Sequence, residues 1–237
     1  MREAGVIVAE VIEAVGQVIR PGVTTQKLDT LAETIIRDHG ALPTFVGYQN
    51  YPKTLCTSIN EQVVHGIPGD RVLCDGDIVG VDCGVTWKGF VADHAMTFCV
   101  GEVTAEKLQL IAVTEKALYE GIAMMQVGNR IGDISFAVQQ AAEARGYGIV
   151  KDFVGHGVGR RMHEEPQVPN FGEPRTGPRL KVGMVLAIEP MFNLGTGDVK
   201  VLEDGWTVVT KDGRQSAHFE HTIAMTDGGP VVLTKKS

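Results

Sequence analysis

Cysteine is scarce in this chain. Cys56, Cys74, Cys83 and Cys99 are the only four in 237 residues, and no two stand at CxxC spacing. That excludes a disulfide framework or a thiolate zinc site and leaves reduced, buried thiols of a cytosolic protein. Long apolar runs are also lacking. The N-terminal stretch MREAGVIVAEVIEAVGQVIRPG carries Glu3, Glu10 and Glu13 inside its apolar pattern. It therefore reads as an amphipathic helix without a capping residue, not as a signal peptide or a membrane span. Nor is there an excess of positive charge. With 22 basic and 29 acidic residues the net charge is −7, which argues against a general nucleic-acid binder. The closing Lys235-Lys236 pair is too short to argue a ribosome or membrane contact. A hydrophobic content of 43% argues against disorder. The length fits one large domain or two small halves, burying roughly three quarters of the unfolded chain's surface.

The chain repeats itself weakly. Residues 20–40, RPGVTTQKLDTLAETIIRDHG, resemble residues 126–146, QVGNRIGDISFAVQQAAEARG. Gly22 matches Gly128, Leu28 matches Ile134 and Gly40 matches Gly146. In each copy a helix ends at a Gly turn and a second helix follows, closed by Gly. Downstream, DGDIVGVD (Asp75–Asp82) echoes VGMVLAIE (Val182–Glu189), with Asp82 matching Glu189. Two related halves, about 1–105 and 106–237, are expected to fold around a shared centre as one domain. Each half reads helix, helix, then strands, so the fold class is α+β with a mainly antiparallel sheet.

Acidic residues stand where apolar strands are predicted. Asp82 lies in DIVGVDCGVT and Asp93 in FVADHAMTFCV, with Trp87-Lys88-Gly89 between them as a hairpin turn. Pairing centred on Trp87 and Lys88 places the two aspartates directly opposite, with Cβ atoms about 4.5–5.5 Å apart. Two like charges that close are costly without a cation. Glu189 ends the apolar strand MVLAIEPMF, and Glu220 sits in SAHFEHTIAMT. His156 is framed by glycines in VGHGVGRRMHEEP, where close backbone approach or unusual dihedrals are expected. A histidine in a Gly loop is ordinarily a turn residue, but four carboxylates on apolar strands beside it change that reading. Their four negative charges balance two divalent cations. Oxygen-rich ligation suits hard metals, and the chemistry to expect is metal-activated water.

These residues carry a resemblance. The segments YPKTLCTSINEQVVHGIPGD, GDIVGVDCGVTWKGFVAD, GHGVGRRMHEEPQVP, VLAIEPMF, EDGWTVVTKDG and SAHFEHTI resemble the type I methionine aminopeptidases, over essentially the whole chain. The resemblance implies a pita-bread fold, with two pseudo-symmetric halves and a central curved sheet covered by helices. The short interval from Glu189 to Glu220 has no room for the helical insertion of type II relatives. All five ligand positions match. Asp82 would chelate one metal, His156 and Glu189 the other, and Asp93 and Glu220 would bridge both. A bridging water or hydroxide would attack the carbonyl after the first residue, with Glu189 as partner for its proton. His65 and His163 would flank the substrate amide, assisting the oxyanion or the departing nitrogen. The methionine pocket would comprise Tyr48, Tyr51, Cys56, Met162 and Trp206. Two departures stand there: Met162 where relatives usually carry Phe, and Gln49 where many carry His. Asn60 and Ser216 match positions resembling a monovalent-cation site.

The implied activity is removal of initiator methionine from nascent chains with a small second residue, near the ribosome, in the cytoplasm. A monomer suffices, without nucleic acid or membrane. Co, Mn, Fe and Zn are not distinguished by these ligands. A proline-directed peptidase of the same fold is the competing enzyme reading, although such relatives normally carry an extra N-terminal domain. A non-catalytic binding protein is disfavoured because no ligand is missing. His94 and His221 each adjoin a ligand, so they point to the opposite sheet face and read as structural. His39 reads as a helix-end residue.

Overall fold

The computed structural model describes residues 1–236. Helices α1 (Arg2–Val18), α2 (Thr25–Asp38), α3 (Ala105–Ala123) and α4 (Ile131–Glu143) form two pairs, one preceding each set of strands. Helix α1 buries Ala4, Val8, Val11, Ile12 and Val15, the stripe expected of an amphipathic helix, and its start has no side-chain cap. Thr24 caps α2, its hydroxyl accepting from the Lys27 N–H at 3.3 Å, and Thr104 caps α3 in the same way. His39 closes α2 and places Nε2 3.2 Å from Glu10 on α1.

The repeated motif has repeated geometry. Gly40 and Gly146, just past α2 and α4, both have φ of 69°. A left-handed residue at that point ends a helix, and glycine takes it without a Cβ penalty. An antiparallel bridge joins Thr24 to Val72 in the first half, and Arg130 to Arg179 in the second.

In the first half the long strand Ile78–Trp87 pairs antiparallel with Leu55–Ile59 and with Phe90–Cys99. Helices α1 and α2 cover it, burying Val8, Leu28, Ile36, Val79, Val81 and Val85 together. In the second half Val185–Ile188 lies between Gly155–Gly157 and His221–Thr226, again antiparallel. Leu118, Ile134, Leu186, Ile188 and Ile223 form its core beneath α3 and α4. The halves join through several backbone pairings, among them Val208–Thr210 with Gln62–Val64 and Ala95 with Glu220. Ala95 and Glu220 exchange backbone hydrogen bonds at 3.3 and 2.9 Å. Thr222 Oγ1 accepts from the Asp93 N–H at 2.9 Å and donates to the Asp93 carbonyl at 2.8 Å.

The hairpin register differs from expectation. Trp87 pairs with Phe90, so the turn is Lys88-Gly89 alone, with φ of 49° and 77°. Positive φ at both central residues is the two-residue turn whose twist matches the strands. Asp82 therefore lies opposite Ala95, and Asp93 opposite Gly84. The two aspartates are diagonal neighbours on one sheet face, not direct partners. The apolar runs around Glu189 and Glu220 are also interrupted. Strands end at Ile188 and His218 and resume at Met191 and His221, leaving both glutamates in the gaps.

Candidate metal centre

Five segments converge on one acidic cluster. Asp82 and Asp93 come from the hairpin, His156 from Gly155–Gly157, and Glu189 and Glu220 from the two strand breaks. His156 Nε2 lies 3.6 Å from Glu189 Oε1 and 3.9 Å from Asp93 Oδ2. The ligand atoms of Asp93, His156 and Glu220 all lie within 4.8 Å of one another. The glycines around His156 serve close approach rather than unusual dihedrals. A Cβ on Gly155 would lie 2.4 Å from the Ala187 carbonyl oxygen, and one on Gly157 2.3 Å from that of Glu165. Neither has positive φ. The histidine thus stands in a strand pressed between two others.

Four carboxylates buried together cannot all ionise readily. Burial pushes Asp82 up to about 7. Burial, then Glu220 and Asp82, push Asp93 well above the usual carboxylate range. Glu189 and Glu220 rise likewise, by burial first and then by their acidic neighbours. Burial, with His163 nearby, lowers His156 to about 4, which leaves a neutral imidazole. Asp82 Oδ1, Asp93 Oδ1 and Glu220 Oε1 are buried with no hydrogen-bond partner among the described residues. Such oxygens are costly in a protein interior unless a proton or a cation satisfies them. The donor set, carboxylates with imidazole, fits hard divalent cations such as Mn, Fe or Co.

Above the cluster opens a cavity of about 260 Å³, lined by Tyr48, Tyr51, Cys56, Met162 and Trp206 together with the acidic residues. Tyr51 and Trp206 meet edge to face at 5.0 Å. The Tyr51 hydroxyl donates to the carbonyls of Leu55 and Gly66, so the ring offers the cavity an apolar face. His65 and His163 also line it. His65 has φ of 61°, and its neighbour Gly66 packs so closely that a Cβ there would lie 2.2 Å from the Thr57 oxygen. Burial and the nearby His163 bring His65 down to about 4, and burial lowers His163 too. The Tyr48 hydroxyl is 2.7 Å from His163 Nδ1, and the His156 and His163 rings lie 4.2 Å apart.

Asn60 and Ser216 meet outside this cavity. The Ser216 N–H donates to the Asn60 carbonyl at 2.9 Å, and the Asn60 side-chain oxygen accepts from the Ile78 N–H at 3.2 Å and from the Lys107 ammonium at 3.4 Å. His94 and His221 stack at 4.5 Å on the far side of the sheet, where His94 Nδ1 meets the Glu220 carbonyl and His221 Nδ1 meets Thr234 Oγ1. Two residues escaped the sequence reading. Phe45 lines the cavity, and nothing in TFVGYQN distinguishes it from core. His218 lies beside Glu189, and its position two before Glu220 was a usable period-two signal.

The fold and the acidic centre define a metallopeptidase. Residues 1–227 match the profile of metallopeptidase family M24, and the chain belongs to that family. Within it, the chain is similar over nearly its full length to methionine aminopeptidases. That of Clostridium perfringens is 53% identical over 234 residues, covering 99% of this chain and 94% of its own. The crystal structure of methionine aminopeptidase from Thermotoga maritima matches with a TM-score of 0.98 at 46% identity, covering 100% and 95%. The Xaa-Pro dipeptidase from Bacillus anthracis shares the fold, with a TM-score of 0.79 at 23% identity, and this chain covers 59% of it. The architecture is the pita-bread fold expected from the motifs. Among the described residues no helix is long and apolar enough to cross a membrane.

Proposed function

We propose that this protein removes N-terminal methionine from nascent polypeptides whose second residue is small, acting as a cytoplasmic monomer close to the ribosome. One observation carries the reading. Asp82, Asp93, His156, Glu189 and Glu220 converge at the base of a single cavity, with three of their oxygens unpaired. We assign these five as the residues that would hold two divalent cations, Asp93 and Glu220 serving both. When bound, such cations polarise the scissile carbonyl and acidify water. The matched glycines support reading the chain as one catalytic domain of two related halves.

The remaining work falls to the chain's own groups. Tyr51, Cys56, Met162 and Trp206 exclude water and take the thioether side chain, for which an apolar, sulfur-bearing wall is suited. The acidic cluster attracts the substrate's free ammonium. Glu189 accepts a proton at its carboxylate as attack proceeds. His65 and His163 are neutral at pH 7, and each presents a ring nitrogen toward the amide. A neutral imidazole N–H stabilises the developing oxyanion or donates to the departing nitrogen. When the Tyr48 hydroxyl donates to His163 Nδ1, the proton of His163 sits on Nε2.

The deciding measurement is kcat/KM for Met-Ala-Ser against Met-Leu-Ser and an Ala-Pro peptide. Met-Ala-Ser should lead, and N-formylation should abolish turnover. Preference for the Ala-Pro peptide would transfer the assignment to a proline-directed peptidase. Equal rates with Ala and Leu would mean that Gln49 and Met162 have loosened selectivity.

A further inference from the structure

His218 has no part in the function described so far, yet it is built into the acidic centre. Its backbone is locked to the neighbouring strand. The His218 N–H donates to Thr97 Oγ1 at 3.0 Å, and the same hydroxyl donates to the His218 carbonyl at 2.8 Å. Its side chain is only 4% exposed, and Nε2 has no hydrogen-bond partner among the described residues. A buried ring nitrogen left so is unusual and calls for a reason.

The surroundings supply one. His218 Nε2 lies 3.7 Å from Glu189 Oε2, while His156 Nε2 lies 3.6 Å from the other oxygen of the same carboxylate. Both separations are too long for a hydrogen bond. They are close to the roughly 3.4 Å between two atoms bound to one cation at about 2.1 Å in tetrahedral array. The ligand atoms of Glu189, His218 and Glu220 lie within 4.8 Å of one another, as do those of Asp93, His156 and Glu220. Glu220 belongs to both groups, and each contains one histidine. His218 is absent from the cavity wall, whereas Glu189 and Glu220 are part of it. Its nitrogen therefore meets the centre from behind, away from the space a substrate would fill.

We propose that His218 is a sixth protein ligand of the metal centre, its Nε2 joining Glu189 and Glu220 around one divalent cation. The proposal rests on the reading that the five residues above hold divalent cations. A second imidazole moves the donor set toward nitrogen, favouring Fe, Co or Zn over Mn at that position more than a single histidine would.

X-ray absorption of the Mn(II)-loaded protein counts imidazoles directly. Two per pair of cations are expected in the wild type and one in His218→Ala. Calorimetric titration with Mn(II) should show one equivalent bound at least roughly 10–100-fold more weakly in His218→Ala. Two bound cations with a single imidazole in the wild type would overturn the role of His218 and leave the five-ligand centre standing. So would wild-type Mn(II) affinity in the variant. Failure of the wild type to bind Mn(II) at all would overturn the centre itself. The wild-type spectrum decides the matter even if the variant folds poorly.

Discussion

Raising the pH of the cation-free protein above neutrality should destabilise it, and a divalent cation should cancel the effect. Asp82 holds its proton in the native state up to about pH 7, against an ordinary value of 3.8, and burial with acidic neighbours raises Asp93, Glu189 and Glu220 well above their ordinary values. The unfolded chain has released all four by pH 6. The native state therefore binds more protons than the unfolded one, and its stability falls as pH rises. Histidines pull the other way at lower pH. His65, His94 and His156 are held near 4, His218 near 3 and His221 near 2, so the native state carries fewer of their protons. The unfolded histidines, with an ordinary value of 6.5, are nearly all neutral only by about pH 7.5, and above that the carboxylates alone remain. Each proton the native site retains then costs ~1.4 kcal/mol per pH unit. One such proton predicts a loss of roughly 2 kcal/mol between pH 7.5 and 9. Urea denaturation of chelated protein across that range measures it, repeated with saturating Mn(II). Asp82→Asn removes one charge that raises the other three, so its profile should be flatter and its stability at pH 8 higher. A chelated wild type whose stability is level or rising from pH 7.5 to 9 would refute the account of the buried cluster.

Three further outcomes are expected. Asp93→Ala, which removes the residue assigned as a bridge, should lose both cations by elemental analysis and all detectable turnover; retention of two equivalents would exclude the bridging assignment. His65→Ala and His163→Ala should keep the metal content while kcat/KM drops roughly 10²–10⁴-fold, and loss of metal instead would make either one a ligand. Gly157→Ala drives a Cβ to 2.3 Å from the Glu165 oxygen, so the strand carrying His156 must shift. Melting should come several degrees earlier and Mn(II) affinity should weaken, whereas an unperturbed melt would show that the strands have room.

The sequence by itself determined the helices, the class of fold and the chemistry of the centre. Helical apolar spacing and the glycines closing α2 and α4 are local signals, read within a turn or two of chain. Carboxylates on apolar strands announce themselves because burying them unpaired is costly. Tertiary structure alone decided how those pieces meet. The Asp82–Asp93 register turned on positive φ at Lys88, a conformation that the residue type does not specify. Gly155 and Gly157 owe their identity to the carbonyls of Ala187 and Glu165, on the two strands that pair with theirs. Phe45 became a cavity wall only once the two halves met, and His218 a neighbour of Glu189 only through the pairing of Met191–Asn193 with Ser216–His218. Periodicity says which face a residue is on; contacts between segments a hundred residues apart depend on long-range pairing that no local pattern encodes.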